Sequence, residues 1–294
     1  MKIQQAFATA VLAAIPALSG CLSHTHIVRK TRPADVILGA SLDQLLKRID
    51  DQYAAIQTMT ATVDIVASTG GSLKGQVTDY LSVSGYIIIG KPEEIRVLLK
   101  APLVGTRVLD MVSDGSNFKL LIAIQNRAIT GSNTLTTPSK NGLENLRPGV
   151  ILDSMLVRGV TSDHIVSLTQ DIRVYENPRK KNDLIEEPDY DIEFLSQPQG
   201  SLARTLRVIH ISRSNLLPYQ QDIYNNEGKV ATRAFYTDYQ TFNGIPFPSH
   251  IAIRRPLDQY SLAITITKVD FNKKLDADQF ELKIPENIPT QKLP

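Results

Sequence analysis

Short segments with alternating apolar and polar residues follow one another through most of this chain. In DYLSVSGYIIIG, Leu81, Val83, Ile87 and Ile89 occupy alternate positions, which is the period of a β-strand. Later segments of the same kind are SLTQDIRVYE, YDIEFLSQ, RTLRVIHISR, KVATRAFYTDY and SLAITITKVDF. Consecutive strands joined by short turns pair antiparallel. About eleven such strands make a sheet too wide to stay flat, so we predict that it curls or closes.

Two segments predict helices instead. In SLDQLLKRIDDQYAAIQT the apolar residues recur at helical spacing and stack on one face. Ser41 and Gln44 fit a capping box at its start, and we expect Leu45 and Ile49 to be buried against the sheet. Residues 148–157 (PGVILDSMLV) predict a short apolar helix. The fold class is therefore mainly β with a few helices, the sheet packing on an N-terminal amphipathic helix.

Cys21 is the only cysteine among the 294 residues, and it follows an apolar run. Ala6 to Leu18 is uncharged and shorter than the roughly 20 residues of a membrane-spanning helix, and such a run is typical of a secretory signal. The sequence Leu-Ser-Gly-Cys resembles the bacterial lipobox, which implies cleavage between Gly20 and Cys21 and lipidation of Cys21. The alternative is an ordinary signal peptide followed by an incidental cysteine.

These features predict three parts: a lipoprotein signal peptide (1–20), a lipidated N-terminus with a tether (21–40), and a single β domain (41–294). Several acyl chains on one residue suffice for stable anchoring. Leu22 follows the lipidated cysteine where an aspartate marks retention in the inner membrane, so the resemblance implies the outer membrane of a bacterial cell envelope, facing the periplasm. Arg29, Lys30 and Arg32 in the tether are interpreted as a solvated run, with contact to anionic headgroups as the alternative.

Composition and motifs exclude several functions. Lysine and arginine number 32 against 30 aspartates and glutamates, so the chain lacks the basic field of a nucleic-acid-binding protein. It contains no nucleophile elbow, phosphate loop or zinc-protease motif. Of the histidines, His24 and His26 lie in the tether, and His164, His210 and His250 are isolated in predicted strands. We predict a non-enzyme with no catalytic residues, no metal and no cofactor.

The order of motifs along the chain resembles the bacterial lipoprotein carriers LolA and LolB and the outer-membrane lipoproteins grouped with them. The motifs are the lipobox, the amphipathic helix, the Gly85-Tyr86 strand, KPEEIR, Ser113-Asp114-Gly115 and FNGIPFP. The resemblance spans Ser41 to about Pro285, and the lipid anchor favours LolB over the soluble LolA. It implies an incomplete, half-open and strongly curved antiparallel β-barrel, closed by helices around an apolar cavity for acyl chains.

The resemblance also implies site residues. The ligand-pocket candidates are Ile87, Ile89, Arg96, Leu98, Leu109, Met111, Leu120, Ile122, Leu152 and Met155. Arg96 matches the arginine that in LolA reaches helical elements over the cavity; a solvated strand arginine is the alternative. Leu103, in LLKAPLVGT, resembles the exposed leucine with which LolB delivers lipoprotein into the membrane, although Val104 is inserted before Gly105. Ordinary burial is the alternative for Leu103.

Three functions are compatible with these residues and this resemblance. The first is a membrane-anchored module that binds lipid or lipoprotein acyl chains and takes part in their trafficking to the outer membrane. The second is a non-catalytic sensing or assembly lipoprotein that binds an envelope protein partner through the same curved sheet. The third is an envelope hydrolase whose catalytic residues come together from separate strands.

Overall fold

The structure is a computed structural model that describes residues 25–73, 75–102, 105–133, 146–161, 163–177 and 179–293. The chain divides into two compact units. The small unit comprises Met1–Ala34 and Val174–Glu186, and the large unit comprises Asp35–Arg173 and Glu187–Pro294.

The described residues form sixteen strands and two α-helices. The strands are β1 (Thr31–Pro33), β2 (Thr58–Gly71), β3 (Gln76–Asp79), β4 (Val83–Gly90), β5 (Glu94–Lys100), β6 (Arg107–Ser113), β7 (Asn117–Ile122), β8 (Arg127–Ser132), β9 (Ile165–Glu176), β10 (Leu184–Leu195), β11 (Thr205–Ser212), β12 (Pro218–Tyr224), β13 (Val230–Phe242), β14 (Ile245–Arg255), β15 (Tyr260–Phe271) and β16 (Thr290–Lys292). The helices are α1 (Leu42–Ala55) and α2 (Pro148–Met155), with 3₁₀ turns at Ala123–Gln125 and Ala277–Phe280. In the described part of the chain, neither helix has the length and apolarity that crossing a bilayer requires.

Most strands of the large unit pair with their neighbours in sequence. The order runs from β10 to β15, continues with β2 and then with β4 to β8, and every pair along this path is antiparallel. β4 and β5 approach closely at Gly85, where an added Cβ would lie 1.9 Å from the carbonyl oxygen of Leu98. The sheet is curved and does not close on itself, which confirms the predicted fold class.

The first and last strands of the chain pair differently from the prediction. Thr290–Lys292 of β16 run parallel to β8, and in the small unit Thr31–Pro33 of β1 run parallel to Leu184–Glu186 of β10. We predicted only antiparallel pairing, because that rule applies to strands joined by short turns. β1 and β16 are each far along the chain from their partners, so no turn sets their direction. β1 also lies in the segment predicted as a tether.

Helix α1 begins and packs as its sequence predicts. Ser41 and Gln44 form the capping box, with the Ser41 side chain accepting from the Gln44 amide and the Gln44 side chain accepting from the Ser41 amide. Leu45 and Ile49 are buried with Ile192, Phe194 and other side chains of β10 and β11. The apolar stripe of α1 therefore docks on one part of the sheet, as predicted.

Helix α2 occupies the concave side of the curved sheet. It contacts β5 and β6 as well as β14, which are far apart in the strand order and come together only because the sheet bends. Ile151, Leu152 and Met155 are buried in the main apolar core with side chains of β2, β4 to β8 and β13 to β15. The predicted short apolar helix is confirmed, and it fills the inside of the half-barrel.

The capping box gives the first testable prediction. Replacing Ser41 with alanine should lower the free energy of unfolding by about 1 kcal/mol, because the Gln44 amide loses its acceptor at the helix start. Urea unfolding followed by circular dichroism would measure the change. Ser72→Ala, at an exposed position after β2, is the control and should leave the midpoint unchanged; an equal loss in both variants would contradict a capping role.

Candidate functional site

An apolar cleft opens at one end of the half-barrel in the large unit. Its floor is buried and consists of large aliphatic side chains from four strands and from the segment just before α2: Ile65, Leu99, Leu120, Leu146 and Leu262. Strand alternation turns these side chains to the concave face. The cleft has a volume of about 210 Å³. For comparison, an engineered aliphatic cavity of about 150 Å³ stays dry and binds benzene.

The mouth of the cleft is also apolar, although it faces solvent. Leu81, before β4, is 86% exposed, and Ile124, in the turn between β7 and β8, is 67% exposed. Tyr80 lies beside Leu81, and Gln125 supplies an amide at the rim. Large apolar side chains this exposed indicate a surface that contacts something other than water. None of the described residues that line the cleft is charged, which suits an apolar chain as a ligand.

The structure separates the predicted pocket residues into three groups. Leu109, Leu120 and Ile122 line the cleft. Ile87, Ile89 and Met111 are fully buried in the main core, as are Leu152 and Met155 of α2. The members of this second group fill the half-barrel and do not line the cleft.

Arg96 and Leu98 form the third group, which lies on the face of β5 opposite to Leu99, the residue of this strand that lines the cleft. In β5 they alternate with the buried Ile95, Val97 and Leu99, so they point to the outer face of the sheet. Arg96 donates from Nε and Nη2 to the two carboxylate oxygens of Asp110, at 2.9 and 2.8 Å. The prediction selected Arg96 and Leu98 from β5, which share one face, and did not select Leu99 of the buried face, which lines the cleft.

The Arg96–Asp110 pair joins the sheet to the C-terminal segment. Arg96 Nη1 donates to the carbonyl oxygen of Gln279, in the second 3₁₀ turn, at 3.0 Å. The hydrogen bond to Asp110 outweighs the effect of burial and raises the pKa of Arg96. Beyond this turn, Leu282 is buried against the outer face of β6 to β8. Arg96 thus reaches a 3₁₀ turn on the outside of the sheet, whereas the resemblance implied contact with helical elements over the cavity.

Most of the cleft lining was not predicted from the sequence. The lining residues that were not selected are Ile65, Ala67, Tyr80, Leu81, Val83, Leu99, Val108, Ile124, Gln125, Leu146 and Leu262. The alternation of Ile65 and Ala67 in β2 was visible, but their position opposite Leu262 depends on the pairing of β2 with β15. Gly20, Cys21 and Leu103 lie outside the described residues, so their roles stay predictions.

A cluster of charged side chains lies on strands β9 to β13 of the large unit. His210 Nδ1 is 2.6 Å from Asp191 Oδ1, and His210 Nε2 is 3.8 Å from Asp222 Oδ2. Burial alone would lower the pKa of His210, but the two carboxylates outweigh it and raise the pKa to about 9. Arg233 donates to both oxygens of Asp222. His210 is therefore protonated at neutral pH and held by two carboxylates.

Neighbouring side chains extend this cluster. Glu187 accepts hydrogen bonds from Arg173, from the Ser212 hydroxyl and from the Ser214 amide. The Tyr219 hydroxyl donates to Asp189, and burial raises the pKa of Tyr219. The cluster binds strands together, whereas a general base must be unprotonated at its working pH. Within the described residues, no group of three or more His, Cys, Asp or Glu side chains is arranged to hold a metal ion.

Comparisons with known proteins address the fold. No protein-family model matches the chain, and no curated protein matches its sequence. Among solved structures, a DUF1329 family protein from Desulfovibrio piger is similar with a TM-score of 0.50 at 13% identity, over 81% of this chain and 94% of that chain. A LolA superfamily protein from Nitrosomonas europaea has a TM-score of 0.49 at 14% identity, over 83% of this chain and 99% of that chain. A protein described as a putative outer membrane lipoprotein-sorting protein domain, from Vibrio parahaemolyticus, has a TM-score of 0.45 at 10% identity, over 81% of this chain and 94% of that chain.

Fold and cleft together define the class of protein. It is a mainly β protein whose large curved sheet stays open, with a helix against its concave side and an apolar cleft at one end. The DUF1329 family protein from Desulfovibrio piger is similar in fold, with a TM-score of 0.50. At these identities the likeness describes the fold alone.

Proposed function

We propose that this protein is a lipid-anchored lipoprotein of the bacterial envelope that binds an acyl chain of a lipid or lipoprotein in its apolar cleft. The observation that carries the proposal is the cleft itself, with an aliphatic floor and an apolar mouth at the open end of the half-barrel. Acyl chains are taken up because their burial removes apolar surface from water. The role is trafficking of lipid or lipoprotein to the outer membrane.

The size and chemistry of the cleft support one acyl chain segment as the ligand. A volume of about 210 Å³ lies below the 300–1,000 Å³ typical of drug-sized ligand sites, so the polar headgroup stays outside. A polar ligand would need convergent hydrogen-bonding groups on the floor, where the lining side chains are Ile65, Leu99, Leu120, Leu146 and Leu262. This chemistry favours an aliphatic chain over a sugar or a nucleotide.

Anchoring and location complete the proposal. Cys21 carries the lipid after cleavage behind Gly20, and Leu22 directs the protein to the outer membrane, where it faces the periplasm. Leu103, in the loop between β5 and β6, is the candidate for contact with the bilayer. Leu99 and Val108, which belong to the two strands that this loop connects, line the cleft.

We propose that the protein acts as a carrier and catalyses no reaction. His210 is the histidine best placed among carboxylates, with Nδ1 2.6 Å from Asp191 Oδ1 and Nε2 3.8 Å from Asp222 Oδ2. With a pKa raised to about 9, it would not accept a proton from a nucleophile at neutral pH. A hydrolase would lose turnover when this histidine is replaced, whereas the carrier should have no turnover to lose.

Uptake of a fluorescent fatty-acid probe tests the function. The protein from residue 22 onward should bind the probe, and Val83→Phe, which fills the cleft from β4, should weaken binding about tenfold, or about 1.4 kcal/mol. Val160→Phe introduces the same side chain at a position that does not line the cleft and is the matched control. Mass spectrometry of organic extracts from the purified protein should identify a bound acyl ligand.

The outcomes separate the alternatives. Equal probe affinity in both phenylalanine variants would contradict binding in the cleft. A stoichiometric protein partner that copurifies without lipid, and is lost in Leu81→Asp, would favour the sensing or assembly role instead. That alternative is motivated by the same exposed apolar mouth, which a protein surface could also cover.

A further inference from the structure

The small unit carries a concentration of positive charge. Arg179, Lys180 and Lys181 are consecutive and exposed in the turn between β9 and β10, and we call them the basic tip. Residues 25–34 form the other described segment of the small unit, and we call them the N-terminal arm. Lys30 adds a further exposed cation on this arm. Among the described residues, none of these four side chains forms a salt bridge. The basic tip is therefore exposed and forms no salt bridge among the described residues, although Lys180 is close enough to Asp183 to help lower the pKa of that carboxylate.

The acidic side chains of the small unit hold its two segments together. Glu176 pairs with Arg29 at 3.1 Å, and Asp183 pairs with Arg32 at 2.9 Å. Glu186 accepts from the Thr31 hydroxyl at 2.9 Å. Hydrogen bonds from Asn177 and Arg32 lower the pKa of Asp183. These carboxylates make their short contacts with other groups of the small unit, and of the three only Asp183 also interacts with a cation of the basic tip, Lys180.

Backbone pairing fixes the arm beside the tip. Residues Thr31 to Pro33 pair with Leu184 to Glu186, and the Ala34 amide donates to the Glu186 carbonyl oxygen at 3.0 Å. From Cys21 to Thr31, ten residues can span at most about 35 Å. A chain anchored at Cys21 therefore keeps the small unit within that distance of the bilayer. Ile27, fully exposed, and Val28 lie on the connecting arm.

We propose that the basic tip, with Lys30, is a docking surface for an anionic phospholipid bilayer. The inference rests on the lipid anchor of the proposed function, which keeps the tip near the membrane, but not on the apolar cleft. Cations near an anionic bilayer are attracted by its surface potential within about one Debye length. The small unit thus faces the bilayer into which the lipid chains on Cys21 insert. The N-terminal arm takes part in this contact through Lys30 and is therefore not a loose tether.

Co-flotation with vesicles tests the surface in protein that starts at residue 22, which keeps every described residue and lacks the anchor. The probe is phosphatidylcholine vesicles with and without phosphatidylglycerol. Binding should require phosphatidylglycerol and should fall about a hundredfold when Arg179, Lys180 and Lys181 are changed to glutamine. It should also vanish near 1 M salt, where the Debye length is about 3 Å.

The matched control changes Lys119, Lys274 and Lys283 to glutamine, which removes the same charge from exposed positions of the large unit. Binding close to that of the unmodified protein is expected. An equal loss in both triple variants, no effect of either, or equal binding to neutral vesicles would overturn the proposal. Probe uptake is measured on the same samples. Tip-dependent vesicle binding without probe uptake would overturn the cleft function alone, whereas probe uptake without vesicle binding would overturn only the docking surface.

Discussion

Replacing Asp110 with alanine should lower the free energy of unfolding by about 3–5 kcal/mol. Asp110 is fully buried, and its two carboxylate oxygens accept from Nε and Nη2 of Arg96, whose side chain is only 17% exposed. The substitution leaves this guanidinium without its anion beneath the C-terminal segment. A buried charge without a partner is costly because the lost hydration is no longer offset.

Urea midpoints of the Asp110→Ala variant and the unmodified protein would measure this loss. The informative control removes both charges, as Arg96→Met combined with Asp110→Leu. Since an apolar pair of similar volume can replace a buried ion pair at little cost, the double variant should recover most of the stability. A loss below about 1 kcal/mol in the single variant, or an undiminished loss in the double variant, would show that the pair does not behave as a buried one.

The second large effect concerns the anchor. With Cys21→Ser, labelling by a fatty-acid analogue should fall to background, because a thioether to lipid requires the thiol. The variant should remain uncleaved or be cleaved elsewhere, and it should no longer fractionate with membrane lipid after export. Ser23→Ala, two residues further on, retains the thiol and should be labelled normally. Persistent labelling of the serine variant would rule out Cys21 as the lipid site.

Local order along the chain could be predicted well. Helix α1, its capping box and the burial of Leu45 and Ile49 depend on residues within one turn or one face of a helix. The run of strands and their antiparallel pairing follow from the period of two and the short turns between them. The parallel pairing of β1 and β16 could not be predicted, because each of these strands has three residues and is distant in sequence from its partner.

The site was harder to predict than the fold, for a geometric reason. The alternation of apolar and polar residues shows which residues of a strand share a face. It does not show which of the two faces is the concave one. Of the predicted pocket residues, Leu109 and Ile122 line the cleft, while Arg96 lies on the face of the sheet where it contacts the C-terminal segment. Likewise, Asp191 and Asp222 meet His210 only because β10, β11 and β12 are adjacent in the sheet.

By itself, the sequence determined the elements that arise from neighbouring residues: the amphipathic helix, the strands, most turns and the class of curved sheet. Only the tertiary structure decided which apolar residues fill the core and which line a cleft. Ile87 and Leu120 have similar side chains and similar strand patterns, yet Ile87 is buried in the core while Leu120 also lines the cleft. The physical reason is that a side chain is buried only where other side chains pack against it. Those side chains come from strands such as β15, which are far along the chain.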